Sequence, residues 1–175
     1  MTTTPMFRLA LPVRRLALAA AVALSVTPML VSRASSDTPV AKRNETTVRE
    51  AFQRWAAGAS IFPTLLAPDV VWTIPGSGPV AGTYRGLTDF SERASGPLLS
   101  RLATPIVPQV HHIWAIADTV IVRFEASATT TAGHPYRNQY VWILRMKDGV
   151  VANGEAFLDL GAYQQVVDDN PRRPR

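Results

Sequence analysis

Apolar and polar residues alternate along most of the second half of the chain, which is typical of β-strands. Residues 136–146 are rich in β-branched and aromatic side chains, and residues 150–160 form a matching return strand. Between them, Asp148 and Gly149 supply the positive φ angles of a tight hairpin turn. Because side chains alternate across a strand, one face of the first strand carries Asn138, Tyr140, Trp142 and Leu144.

Two further alternating runs, residues 106–114 and 119–130, predict a second pair of strands joined at Ala117 and Asp118. After the last strand, the side chain of Asp159 suits the N-cap of a short final helix. Four strands in succession predict an antiparallel sheet.

The first half of the chain has helical spacing instead. Thr47 and Glu50 have the spacing of a capping box, which predicts a first helix that ends at Gly58. A short second helix is predicted over residues 60–66, where Pro63 is tolerated in the first turn.

One strand and one helix complete the first half. Residues 70–74 read as a strand, and Leu87 opens a helix that Gly96 and Pro97 interrupt or end. Helices followed by antiparallel strands predict an α+β fold, with the helices packed on one face of the sheet. The domain is predicted to span residues 44–167.

The segments outside this domain are predicted to be a leader, a linker and a tail. Residues 1–34 carry Arg14 and Arg15 before an uncharged apolar run, which predicts a signal peptide or a mis-called N-terminal extension. A cleaved leader implies export to the periplasm or beyond, whereas a true start at Met29 implies a cytoplasmic protein. An uncleaved anchor is a further alternative, but the run is too polar for a stable span, so no membrane insertion is expected after leader removal. Residues 35–43 are predicted to be a linker and residues 168–175 a disordered tail.

Charge and composition argue against several classes of function. The net charge is +5, but residues 44–167 carry nine basic and ten acidic side chains, so no basic surface for nucleic acid is predicted. The absence of cysteine excludes disulfides and thiolate metal sites. His111, His112 and the distant His134 lack convergent ligand spacing, and neither a metal nor another cofactor is predicted.

Four short motifs follow this order of elements. They are Val70-Val71-Trp72-Thr73-Ile74-Pro75-Gly76, Gly82-Thr83-Tyr84-Arg85-Gly86, Met146-Lys147-Asp148-Gly149-Val150 and Phe157-Leu158-Asp159-Leu160. Together they resemble the SnoaL-like branch of the nuclear transport factor 2-like superfamily. The resemblance implies a cone-shaped barrel, in which a curved antiparallel sheet wraps around N-terminal helices and leaves an apolar pocket, usually in a homodimer. Family members include steroid isomerases, polyketide cyclases, epoxide hydrolases and dehydratases, so the fold leaves the function open.

The steroid isomerase pattern is missing from this sequence. It needs a carboxylate base and two acids that hydrogen-bond an oxyanion. The resemblance places these roles near Ile74, Trp55 and Trp142. An isoleucine accepts no proton and an indole is no base, so the sequence argues against this reaction.

The epoxide hydrolase pattern is present in part. Arg123 and Glu125 share a strand face and resemble its Arg-x-acid pair, which the family places inside the cone, but the second acid falls at Ala156. The neighbouring Glu155 points to the opposite face unless a bulge shifts the register. Arg123 and Glu125 are therefore candidate catalytic residues, with an ordinary same-face pair or a dimer contact as the structural alternative.

His111 and His112 are further candidates for a catalytic base. Adjacent strand residues face opposite ways, so one of the two is expected to reach the pocket, where histidine suits proton transfer near neutral pH. The alternative is one surface histidine and one hydrogen-bonded core histidine.

The favoured function is the binding of a small apolar or aromatic molecule, with catalysis left open. The residues predicted to line the pocket are Trp55, Trp72, Ile74, Tyr84, Asn138, Tyr140 and Trp142, and no basic stripe accompanies these aromatic rings as a nucleic-acid platform would require. One alternative is a lyase, isomerase or hydrolase that uses acid–base chemistry on a polyketide- or terpenoid-like substrate. Another is a non-catalytic dimerisation domain.

A homodimer is predicted through the outer face of the sheet. Val141 and Ile143, beside Val122 and Phe124 on the neighbouring strand, would otherwise expose a contiguous apolar patch, which soluble monomers rarely do.

Overall fold

The computed structural model describes Met1 and residues 39–174. Apart from Met1, the predicted leader and the first part of the predicted linker lie outside the described residues. The elements, in chain order, are helices α1 (Pro39–Ala56) and α2 (Phe62–Leu65), strands β1 (Leu66–Ile74) and β2 (Gly82–Arg85), helix α3 (Leu87–Phe90), a π-helical turn (Ser91–Ser95), helix α4 (Gly96–Leu99), strands β3 (Val107–Ile116), β4 (Thr119–Thr129), β5 (Pro135–Lys147) and β6 (Val150–Leu158), and helix α5 (Leu160–Asp169). Among residues 39–174, no helix combines the length and the apolarity that crossing a membrane requires.

The sheet has six strands in the order β2-β1-β6-β5-β4-β3, and it is curved but not closed. The α+β fold with N-terminal helices is confirmed. The prediction of an entirely antiparallel sheet is wrong at one place, because β1 and β6 run parallel. This pairing joins the first strand of the domain to the last one, and it places β1 one strand in from the edge of the sheet.

The predicted hairpin between β5 and β6 is confirmed. Asp148 has a φ of 50° and Gly149 a φ of 84°, the left-handed values that a tight hairpin turn needs. Asn138, Tyr140, Trp142 and Leu144 are all buried, so their shared face of β5 is the one that faces the core.

Helix α1 begins at Pro39, eight residues before the predicted capping box at Thr47. Residues 39–43 are therefore helical, and their assignment to a linker is wrong. A proline suits the first position of a helix, and Ala41, Lys42 and Arg43 are good helix formers. Ala41 is fully buried against the core, so packing of this first turn extends the helix beyond the signal in the local sequence.

The helical segment after β2 continues through Gly96 and Pro97 instead of ending there. Pro97 has no N–H to donate to the preceding helical turn. The residues before it form a π-helical turn, in which the Gly96 N–H bonds to the Ser91 carbonyl. A Cβ at residue 96 would lie 2.5 Å from that carbonyl oxygen, so glycine is required there.

The C-terminal segment is ordered as far as the structure describes it. Asp159 caps α5 as predicted, accepting a hydrogen bond from the Ala162 N–H at 3.0 Å. Beyond α5, the Arg173 N–H donates to the Ser100 carbonyl at 2.7 Å, and the Thr131 hydroxyl donates to the Pro171 carbonyl at 2.6 Å. The prediction of a disordered tail from residue 168 is wrong, because backbone contacts to distant residues fix a segment that carries no local signal.

Candidate functional site

A cavity of about 250 Å³ lies between the sheet and the helices that pack on it. Alternation along β1, β5 and β6 turns every second side chain toward it. The aromatic residues of its wall are Trp55, Phe62, Trp72, Phe90, Tyr140, Trp142 and Tyr163, and the larger aliphatic ones are Ile61, Ile74, Leu98, Leu99, Ile106 and Leu158. The cavity is therefore mainly apolar, with a high share of rings.

Trp142 is the centre of this aromatic wall. Its ring stacks on Trp55 at 5.8 Å between centroids and 14° between planes, and it meets Trp72 edge-on at 5.1 Å and 88°. Phe52 and Phe124 contact it from the core side at 5.5 and 4.9 Å. Such pairs stabilise by about 0.5–1.5 kcal/mol each beyond the burial of their area, so the wall is a preformed surface.

The cavity offers hydrogen-bond donors but no charge. None of its lining residues, all of which lie in the described part of the chain, is acidic, basic or histidine. Burial raises the pKa of Tyr140 well above its ordinary value and also raises the pKa of Tyr163, so both phenols stay protonated near neutral pH. Since the lining residues carry no carboxylate or imidazole, no group here can act as a general base near neutral pH.

The two tyrosine hydroxyls have different partners. Tyr163 donates to the Ala94 carbonyl at 2.7 Å. Tyr140 lies 2.6 Å from the hydroxyl of Tyr136, which in turn accepts a hydrogen bond from the Asn138 amide at 3.1 Å. Tyr163 is thus satisfied by backbone, whereas Tyr140 ends a chain of polar side chains.

Five of the seven residues predicted to line a pocket do line this cavity. They are Trp55, Trp72, Ile74, Tyr140 and Trp142. Tyr84 is not among the lining residues: it is buried, and its hydroxyl donates to the Val80 carbonyl at 2.7 Å. Asn138 is absent from the wall as well, because its side chain is turned to Tyr136 and to the backbone of Asp159.

Arg123 and Glu125 lie on the face of the sheet opposite the cavity. The residues that alternate with them, Val122 and Phe124, are fully buried, whereas Arg123 is exposed and Glu125 is half-buried. The prediction that this pair lies inside the cone is wrong, because the core takes the other face of β4. Their predicted catalytic role at the cavity has no support from this position.

The carboxylate of strand β6, that of Glu155, also lies on the outer face of the sheet. Ala156 lines the cavity and Glu155 is exposed. The register between β5 and β6 does shift, but it does so at Ala152, between the pairs formed by Val151 and Asn153. Glu155 consequently pairs with Ile143 on the outer face.

Both histidines lie on the outer face because β3 contains a bulge. Val110 pairs with Phe124 and His112 with Arg123, so His111 is the extra residue that resets the alternation. His111 Nε2 is 3.3 Å from Glu125 Oε1, and His112 stacks on Trp114 at 5.1 Å and 20°. The prediction that one histidine reaches the pocket is wrong.

Sequence reasoning missed part of the cavity wall. Phe62, Phe90 and Tyr163 come from three separate helical segments. Tyr163 carried a usable signal, since it sits on the inner face of the helix that Asp159 caps. Nothing local indicates that Phe90 would meet Phe62, at 4.9 Å between ring centroids.

A wider groove of about 770 Å³ crosses the outer face of the sheet. Its walls include Gln109, Glu125, Arg137 and Gln139, and none of its lining residues is aromatic. Because these four side chains belong to the solvent side of the sheet, the groove lacks the apolar, aromatic wall of the inner cavity. The inner cavity is the stronger candidate site.

Known structures share this fold. A candidate SnoaL-like polyketide cyclase from Jannaschia sp. CCS1 is 17% identical with a TM-score of 0.60, and the match covers 78% of this chain and 99% of that one. A nuclear transport factor 2-like protein of unknown function from Burkholderia pseudomallei K96243 is 20% identical, with a TM-score of 0.59 over 72% of this chain and 98% of that one. TerC, co-crystallised with polyporic acid, is 18% identical, with a TM-score of 0.58 over 72% of this chain and 98% of that one.

Comparison with curated protein sequences gives no match. The model of the SnoaL-like domain family matches residues 48–153, which is more than half of the chain. This range contains the helix α1 from Val48 onward, six of the seven aromatic residues of the cavity wall and most of the sheet. The chain therefore belongs to the SnoaL-like domain family, and it shares its fold with nuclear transport factor 2-like proteins.

Proposed function

We propose that this protein binds a small apolar or aromatic molecule in the cavity between its sheet and helices. The observation that carries the proposal is a wall of seven aromatic rings without a single charged side chain among the lining residues. Ligand sites are typically mostly apolar cavities with a few placed polar groups. At about 250 Å³ the cavity is slightly smaller than the usual range, which favours a ligand of one or two rings.

Binding is favoured over acid–base catalysis by the position of the candidate groups. Arg123, Glu125 and the two histidines all lie on the outer face, and Ala156 occupies the place of a second acid. The lining residues thus include no carboxylate or imidazole that would move a proton. TerC, which shares the fold, was co-crystallised with polyporic acid, and this supports the binding of a small molecule by a protein of this fold.

Binding of the fused-ring hydrocarbon tetralin tests the proposal by tryptophan fluorescence. The chain has four tryptophans, and three of them line the cavity. In a Trp114→Phe variant every remaining tryptophan reports on the cavity, so we expect a saturable change in emission on titration with tetralin. Ala156→Leu fills the cavity and should weaken this binding at least tenfold.

The matched control for Ala156→Leu is Glu155→Leu. The neighbouring side chain is exposed on the outer face, so this variant should bind tetralin as the Trp114→Phe protein does. Equal weakening by both substitutions, or no saturable signal at all, contradicts the proposed site.

We further propose that two copies associate through an outer patch formed by Trp114, Ile121, Val141, Ile143 and Phe157. Strand pairing places Ile121 between Trp114 and Ile143, and places Val141 beside Phe157. Trp114 and Phe157 are 48% and 42% exposed, which leaves a contiguous apolar surface on a single chain. Val122 and Phe124, predicted to belong to this surface, face the core instead.

Light scattering of residues 35–175 at micromolar concentration should give the mass of a dimer. Ile143→Glu places a charge in the middle of the patch and should give a monomer, because an unpaired charge in an apolar interface is strongly unfavourable. Gln109→Glu adds the same charge in the polar groove outside the patch and should leave the dimer intact. A monomer mass for the unmodified chain contradicts the interface.

A further inference from the structure

An open depression of about 520 Å³ adjoins the cavity. It is lined by the end of α1 and the residues after it, by the start of β3 and by the paired ends of β4 and β5. Gly58 and Pro105 line both the depression and the cavity. Tyr136 lines the depression and Tyr140 lines the cavity, and their hydroxyl oxygens are 2.6 Å apart. The two spaces are therefore direct neighbours in the fold.

Arg137 gives the depression its charge. None of the other lining residues, all of which lie within residues 39–174, is acidic, basic or histidine. Arg137 is exposed, and neither an ion pair nor a hydrogen bond joins its guanidinium to another residue of that range. Within the described part of the chain, the depression thus presents a cation without a partner, next to a cavity whose wall carries no charge.

The carboxylates of the adjoining outer groove have other partners. Glu125 and Asp159 line that groove together with Arg137. Glu125 Oε1 is 3.3 Å from His111 Nε2, and Asp159 Oδ1 accepts a hydrogen bond from the Ala162 N–H at 3.0 Å. Arg137 is therefore available to an anion that comes from outside the chain.

We propose that the depression is the entrance of the cavity, and that the ligand is an amphipathic anion with an apolar ring in the cavity and a carboxylate at Arg137. This inference rests on the proposed function and specifies the class of molecule that the same cavity holds.

The two halves of this ligand follow from the two environments. Burying a carboxylate in the cavity would be unfavourable, because no lysine, arginine or histidine lies among its lining residues. In the open depression the carboxylate keeps part of its hydration, and the planar guanidinium of Arg137 can donate two parallel N–H bonds to its oxygens. An apolar ring has the opposite preference, because the aromatic wall removes it from water.

Ligand pairs that differ in charge alone test the inference by calorimetry. The acids are phenylacetate, 4-phenylbutanoate and 6-phenylhexanoate, each compared with its neutral amide. The chain must reach from the cavity to Arg137, so the acid should be favoured over its amide most strongly at one chain length. At that length we expect Arg137→Gln to weaken binding of the acid about fivefold, the upper value for an exposed ion pair, and binding of the amide less than twofold.

Arg145→Gln is the matched control. Arg145 is also exposed on the outer face of β5, eight residues beyond Arg137 and thus roughly 25 Å along the strand. This distance is well beyond the screening length of about 8 Å at physiological ionic strength. The variant should leave the preference for the acid unchanged. Equal effects of Arg145→Gln and Arg137→Gln would show a general effect of net charge and overturn the assignment.

Ala156→Leu tests whether the ring of the acid lies in the cavity. The substitution fills the cavity, so it should weaken binding of the acid and of the amide alike. If Arg137→Gln weakens binding of the acid and Ala156→Leu does not, the acid binds in the outer groove and the inference is overturned.

The inference and the proposed function fail in different ways. If tetralin binds but no acid of the series depends on Arg137, the inference is overturned and the apolar site stands. If neither tetralin nor any of the phenylalkanamides binds, the proposed function itself is rejected.

Discussion

Replacing Gly154 by alanine is expected to lower the free energy of unfolding by about 3 kcal/mol, although the change adds a single methyl group. Gly154 is paired with Trp72 across the parallel strands β1 and β6. An added Cβ would lie 2.4 Å from two atoms of the Trp72 ring, which is itself only 1% exposed. The ring cannot move aside without breaking the aromatic wall, so the strain stays in the core. Chemical denaturation monitored by circular dichroism measures the difference.

A double-mutant cycle with Trp72→Phe identifies the cause. The smaller ring gives the methyl group room, so Gly154→Ala should be much less destabilising in the Trp72→Phe background than alone. Additive effects would show that the glycine is needed for another reason. If Gly154→Ala lowers the free energy of unfolding by less than about 0.5 kcal/mol, then β1 and β6 do not pack as closely as described.

Replacing Trp142 by alanine is expected to lower the free energy of unfolding by about 4 kcal/mol, within the range for removing a large buried aromatic side chain. Trp142 is 4% exposed and contacts the rings of both the core and the cavity wall. Its loss should also merge the cavity with the space left by the indole and weaken tetralin binding. Thermal and chemical unfolding measure the first effect, and fluorescence titration the second.

Trp142→Phe is the control for that substitution. A phenyl ring retains contact with Phe52 and Phe124 but fills less of the space. We therefore expect the free energy of unfolding to fall by roughly half as much as in Trp142→Ala. A loss below about 1 kcal/mol for Trp142→Ala would show that the rings repack around the gap, and would contradict a rigid wall.

Local sequence patterns determined most of the secondary structure. The turn at Asp148 and Gly149, the alternation along β5 and the cap at Asp159 act over a few residues, and each is found where it was predicted. Together with the family motifs, these patterns were sufficient to predict the fold. They were also sufficient for five residues of the cavity wall, because large aromatic side chains on an alternating strand usually face a core.

Tertiary structure decided which face of each strand is the inner one. Alternation along β4 puts Arg123 and Glu125 on one face, whichever face is buried. The packing of Phe124 against α1 makes that face the outer one. The bulge at His111 reverses the alternation within β3, and a single extra residue leaves no distinct signal in the sequence.

The sequence by itself determined the elements, the fold family and the apolar character of the cavity. The start of α1 at Pro39, the ordered segment after α5 and the parallel pairing of β1 with β6 depend on contacts between residues far apart in the chain. The same holds for the two hydrogen bonds between the Asn138 side chain and the backbone of Asp159, which lies 21 residues further along the chain. Such contacts form only when the whole core is assembled, because no local pattern of side chains specifies which distant groups will meet.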